Sequence, residues 1–277
     1  MAVEIGEIFN DCENAIGEAM TMLYKNRPDY LILFLSQGEY SPLLEKIEGV
    51  GPYCTDYAMD FHENHYQRDY IIHYLNRNYK KPSYTYTEET IDDLITEMMI
   101  YSIIWEDVGY LKFLLRLAQL EDGKDYIWDT GLEYHNYLHT VITEQIIAPL
   151  QNQGLALGDL IQSAYSSDIR NAFAHSMYTI YPDSRKIELW LGRDEKSRRR
   201  EWMSFDEFQK KFLMSIRIWN YLFHVVEECR KCVATDKART RLLPLPDGKA
   251  MELWAEMQLR GDKMIPCFRG KVYKVSK

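Results

Sequence analysis

Apolar residues recur at three- and four-residue spacing along most of this chain, the period of helices that bury one side. The pattern is clearest in TIDDLITEMMIYSIIWEDVGYLKFLLRLAQL, where Ile91, Leu94, Met98, Tyr101, Ile104, Trp105, Val108, Leu111, Leu114, Leu115 and Ala118 form one stripe. Helices are expected at about 3–25, 29–47, 53–80, 87–121, 134–153, 156–178 and 204–236. Lys81-Pro82-Ser83 and the segment 121–131 break the pattern as loops. Strand signals are few. YTIYPDSRKIELWLGRDEK reads as a short hairpin, and KMIPCFRGKVYKVSK alternates around Arg269-Gly270 as a second, small one. The expected fold is an all-α, up-and-down bundle with these two short hairpins. Residues 1–85 would be a helical part packed on a core at 86–240, and the PLPDG segment at 244–248 would set off a carboxy-terminal extension, 241–277.

The chemistry concentrates in Asp168–Tyr178, DIRNAFAHSMY, inside the helix expected over 156–178. Asp168, Asn171, His175 and Tyr178 stand at i, i+3, i+7 and i+10, one polar stripe on a helix, with Arg170 one step round from it. Ile169, Ala172, Phe173, Ser176 and Met177 leave the other side small or apolar for packing. A permanent cation beside an imidazole that titrates near neutrality suits phosphate chemistry. The ordinary alternative is a surface ion-pair partner and a satisfied polar residue, since a short motif is only a hypothesis.

This stretch resembles the R-x4-6-H signature of the HEPN superfamily, in its RNxxxH form, at Arg170, Asn171 and His175. The hairpin after the motif and the long amphipathic segment WMSFDEFQKKFLMSIRIWNYLFHVVEECRK follow the family's order, so the resemblance covers roughly 90–235. It implies a HEPN-type helical bundle acting as a metal-independent endoribonuclease, with no cofactor, in defence, toxin or stress functions. The RNA 2′-hydroxyl would attack the neighbouring phosphate and leave a 2′,3′-cyclic phosphate and a 5′-hydroxyl. His175 would transfer protons, Arg170 would bind the phosphate, and Asn171 would hydrogen-bond it or fix the imidazole tautomer, with Asp168 and Tyr178 in support. One histidine cannot easily serve both oxygens, and the family's answer is a homodimer with a composite site. A cognate antitoxin is a possible partner. The alternative is a catalytically silent, HEPN-like RNA-binding or regulatory scaffold.

Charge gives the RNA reading partial support. The net charge is −9, yet Cys229–Lys277 carries twelve basic residues against five acidic ones, a net of +7 that leaves −16 on residues 1–228. A second basic cluster, Lys196, Arg198, Arg199 and Arg200, follows the motif and could contact a phosphate backbone that reaches His175; the plain reading is a solvated loop. The 21 Tyr, 10 Phe and 6 Trp exclude a disordered chain. Acidic residues near the amino terminus and the lack of a long apolar run predict a soluble, cytoplasmic protein with no membrane association. Five scattered cysteines, including Cys229 and Cys232 as a CxxC at a helix end, read as free thiols. The pairs His62/His65 and His135/His139 could converge on a metal in a bundle, but among tyrosines they read better as structural histidines. Neither a nucleotide phosphate loop nor a nucleophile elbow is present.

Overall fold

The computed structural model describes residues 3–41, 52–54, 65–79, 83–84, 91–132, 138–192, 199–235, 241–260 and 263–273. Its helices are α1 (Ile5–Asn26), α2 (Pro28–Ser36), α3 (His65–Asn78), α4 (Ile91–Ile104), α5 (Val108–Glu121), α6 (138–152), α7 (Ala156–Ala164), α8 (Ser167–Ala174) and α9 (Phe205–Thr235). Its strands are β1 (Val3–Glu4), β2 (Glu39–Tyr40), β3 (Tyr53–Cys54), β4 (Ser83–Tyr84), β5 (Tyr178–Tyr181), β6 (Lys186–Leu191), β7 (Arg199–Ser204), β8 (Arg241–Pro244), β9 (Ala250–Arg260) and β10 (Lys263–Tyr273). All pairings are antiparallel: β1 with β4, β2 with β3, and two three-stranded sheets in the orders β5-β6-β7 and β8-β9-β10.

The expectation of an all-α bundle is therefore wrong; this is a mixed fold of central helices flanked by antiparallel sheets. The largest departure is at the carboxy-terminal end. AMELWAEMQLR is rich in helix formers, yet Met251, Leu253 and Ala255 are buried at every second position, which is the strand period. Arg269-Gly270, expected at a turn, lies within β10 opposite Trp254 and Leu253. Gly270 fits there because a Cβ would meet the Met251 sulfur at 2.8 Å.

Three expected helices outside the motif are also interrupted or shortened. The 87–121 helix stops after Ile104 and restarts at Val108, where Asp107 caps α5 by accepting the Tyr110 N–H at 3.0 Å through Oδ1. Its Oδ2 accepts the Trp219 indole N–H at 3.0 Å, fixing the corner against α9. The helix expected over 29–47 ends at Ser36, followed by Gln37 in a left-handed conformation and then β2. The helix expected over 53–80 begins only at His65 among the described residues, after β3. Within α6, Val141–Ile147 is π-helical. Pro149 cannot donate to the Gln145 carbonyl, which instead accepts the Gln119 side-chain amide at 3.3 Å.

At the centre of the core, α9 packs on α1, α2, α4, α7 and the β8-β9-β10 sheet. The α1 stripe Cys12, Ile16, Ala19 and Leu23 is fully buried against it, as are Phe208, Phe212, Ile216 and Leu222 of α9 itself. Leu243, Met251, Leu253 and Phe268 from the carboxy-terminal sheet join the same core, and the Arg230 guanidinium lies 5.1 Å from the Phe268 ring centre. Among the described residues no helix is long and apolar enough to cross a membrane.

Candidate functional site

The helix expected over 156–178 is two helices set by a sharp break at Tyr165–Ser166. The Tyr101 hydroxyl, buried in the core, donates to the Ala164 carbonyl and accepts the Ser166 N–H, both at 2.9 Å. Ser166 then caps α8 by accepting the Ile169 N–H on its side chain. Ile169, Ala172 and Phe173 form the buried side of α8, and Phe173 stacks edge-on against Tyr101, Tyr178 and Phe208. One tyrosine hydroxyl thus fixes where the motif helix starts.

His175 is the C-cap residue that closes α8, not a mid-helix residue. The Met177 N–H bonds the Ala172 carbonyl at 2.7 Å and the Ser176 N–H bonds the Phe173 carbonyl at 3.2 Å, a Schellman turn with Ser176 at φ 55°. Tyr178 consequently leaves the helix and enters β5, where its ring packs on Phe173, so the expected four-residue stripe is reduced to Asp168, Asn171 and His175. The hairpin after the motif is present as β5-β6 and is widened by β7.

Asp168, Asn171 and His175 line one cleft with Ala172, Met177, Trp190, Leu191 and Gly192, with a volume of about 110 Å³. The imidazole is exposed and makes no hydrogen bond to any described residue. Arg170 is not among the lining residues, since five steps along a helix place it about 140° round from His175. Its guanidinium donates to the Asn171 side-chain oxygen from Nη2 at 2.7 Å and from Nε at 3.3 Å. Asn171 therefore joins the cation to the cleft. Behind the motif, burial pushes the Tyr165 hydroxyl up to about 12, against the opposing pull of the Arg170 charge. That hydroxyl meets no hydrogen-bond partner among the described residues, and the Tyr165 ring stacks on His139 with centres 5.9 Å apart.

Of the expected RNA-binding cluster, Lys196 and Arg198 lie outside the described residues. Arg199 bridges Asp168 at 2.7 Å and Glu201 at 3.2 Å, on the rim of the cleft. Arg200 bridges Glu188 at 3.3 Å and lies 5.8 Å from the Trp190 ring centre. Both described arginines are thus at the cleft's edge, balanced by carboxylates. Sequence reasoning missed Trp190. Its signal was the alternation in KIELWL, where Ile187, Leu189 and Leu191 are buried and Trp190 points outward with 47% of its surface exposed.

Two other polar clusters are built into the core. Arg116, with no exposed side-chain surface, donates to the Gln37 side-chain oxygen at 2.8 Å and the Ile127 carbonyl at 3.1 Å, and Lys112 bridges Glu39 at 2.6 Å. These groups tie α5 to β2 and to the segment after α5. Glu97 accepts from the Tyr74 and Tyr79 hydroxyls, and burial pushes its carboxyl up to about 8. Among the described residues no group of three His, Cys, Asp or Glu side chains could hold a metal; His62 and His135, members of the considered pairs, lie outside those residues. No family model, curated protein or solved structure matches this chain.

Proposed function

We propose that this protein is a metal-independent endoribonuclease, working in the cytoplasm in a defence, toxin or stress response, with RNA cleaved at the α8 cleft. One observation carries the reading: the His175 imidazole stands open at the rim of a cleft that also contains Asn171, which is hydrogen-bonded to the Arg170 guanidinium. An imidazole that meets no hydrogen-bond partner among the described residues, beside a carboxamide and a cation, can move one proton at a phosphodiester and hold its charge. His175 takes the proton from the ribose 2′-hydroxyl or gives one to the departing 5′-oxygen. Positioned general acid–base transfer of this kind contributes a factor of roughly 10² to 10⁴. Arg170 binds the phosphate once Asn171 releases or shares it, and Asp168 with Arg199 borders the entrance. Two proton transfers need two groups, so the reading includes a homodimer in which two α8 clefts face each other across a two-fold axis. A cognate antitoxin would cover the same cleft.

A second reading, a catalytically silent RNA-binding scaffold, is favoured by the tie between Arg170 and Asn171 and by the carboxylates that balance Arg199 and Arg200. The two separate in a comparison of purified parent, His175→Ala and Arg170→Lys on a mixed single-stranded RNA. Cleavage should vanish in His175→Ala and fall strongly in Arg170→Lys, because a point charge does not replace a planar fork on phosphate. Equal cleavage by parent and His175→Ala, or none by either, selects the scaffold.

A further inference from the structure

The side of the β5-β6-β7 sheet facing away from the core is unusual for an exposed surface. Tyr181, Trp190 and Trp202 are 39%, 47% and 54% exposed on it. The strand register places Trp202 beside Glu188 and Trp190 beside Arg200, so these rings share one face, while Ile187, Leu189 and Met203 fill the other. The Tyr181 and Trp202 rings are 5.2 Å apart. Glu188 holds the group together. Its carboxylate accepts the Tyr181 hydroxyl at 3.0 Å and the Arg200 guanidinium at 3.3 Å, and it is nearly covered by them. The Trp190 indole N–H foremost, then these neighbours, keep its carboxyl below the usual range. Tyr181 and Arg200 are thereby held before anything binds, and Trp202 packs on the Tyr181 ring, which reduces the ordering cost of a contact.

We infer that this face is a stacking platform for single-stranded RNA, on which Trp202, Tyr181 and Trp190 take successive bases and Arg200 takes the backbone, with the strand running on into the His175 cleft. The inference rests on the RNA reading above. Three features select the ligand. Flat rings with a guanidinium lying over one of them are a surface for unpaired bases, every one of which has a π-face. Among the described residues of these strands, the charge on the face besides Glu188 is basic, from Arg200 and Lys186. Trp190 also lines the cleft that holds Asn171 and His175, so the face and the cleft are continuous. Paired bases keep their faces inside a duplex, so duplex RNA should not engage.

The test is fluorescence anisotropy with an end-labelled, mixed-sequence single-stranded RNA in a His175→Ala background, where no cleavage interferes. Trp202→Ala should weaken binding roughly 5- to 150-fold, the range for one stacked base, and Trp190→Ala likewise, while Trp202→Phe retains most of the affinity. The duplex of the same sequence should bind weakly and not respond to these substitutions. Affinity unchanged by both alanine substitutions overturns the inference and leaves the RNA reading standing. No binding of RNA by the His175→Ala protein overturns both. Ring-dependent binding without cleavage by the parent keeps the platform and removes the enzyme. Light scattering on the same variants covers the competing occupant: conversion of a dimer to a monomer by Trp202→Ala, with RNA affinity unchanged, would assign the face to a second copy.

Discussion

Removing a single oxygen from Tyr101 should loosen the start of the motif helix without touching its packing. In Tyr101→Phe the ring keeps its edge contacts with Trp105, Phe173 and Phe208. The hydroxyl it loses is the partner of two backbone groups at once, the Ala164 carbonyl and the Ser166 N–H at the α7–α8 break. A buried backbone group left without a partner costs about 1–3 kcal/mol, and with Ala164 buried but Ser166 only half-buried the loss should be about 2–4 kcal/mol, well above the usual effect of deleting an isolated hydroxyl. For a chain of this length that is a fall in Tm of roughly 4–10 °C. Tyr178→Phe is the control, because its ring also packs on Phe173 and its hydroxyl meets no partner among the described residues; its effect should stay within about 0.5 kcal/mol. Urea unfolding followed by circular dichroism gives both numbers. Losses in the two variants that agree within error would refute the claim that the Tyr101 hydroxyl sets the α8 entry.

Three further outcomes are expected. Ser176→Gly should stabilise by about 0.5–1 kcal/mol, since Ser176 closes the α8 turn at a positive φ that glycine adopts freely; a loss of stability in the same unfolding assay would contradict the turn as described. Glu97 ionises near 4.5 in an unfolded chain and at about 8 when buried, so between those values the unfolded chain releases a proton that the folded one keeps, and stability falls as pH rises through that window. Glu97→Gln retains an oxygen for the Tyr74 and Tyr79 hydroxyls and should flatten the fall between pH 5 and pH 8; parallel pH profiles for the two proteins would contradict it. The Asp168–Arg199 bridge joins groups with 37% and 59% of their side chains exposed, so a double-mutant cycle with Asp168→Asn and Arg199→Ala should return a coupling below about 1 kcal/mol, and a value several times larger would show a desolvated pair.

Much of the helical scaffold was legible because its period is strong: α1, α9 and the stripe shared by α4 and α5 appear where the spacing puts them. The hairpin after the motif was legible from its turn residues between alternating segments. What escaped were breaks made by tertiary contacts. Asp107 could be recognised as a cap only with Trp219 in view, and the Tyr165–Ser166 break depends on Tyr101, more than sixty residues away in sequence. The turn after His175 carries serine instead of the glycine that usually marks a helix end, so the helix was extended through Tyr178. The strand β9 was hidden by helix-forming residues in a two-residue period, a case where packing overrides propensity. At the site, Asp168, Asn171 and His175 could be grouped from spacing alone, whereas the position of Arg170 outside the cleft and of Trp190 inside it required the fold.

The central claim, that His175 cleaves RNA without a metal, is tested most directly by incubating the parent protein with a mixed single-stranded RNA in excess EDTA and determining the end groups of the products. Cleavage should survive EDTA and leave 5′-hydroxyl ends with 2′,3′-cyclic phosphates, or the 2′- or 3′-monophosphates these hydrolyse to, because attack by the 2′-hydroxyl expels the 5′-oxygen and closes the cyclic phosphate first. Intact RNA, or cleavage that stops in EDTA and otherwise leaves 5′-phosphate ends, would contradict it.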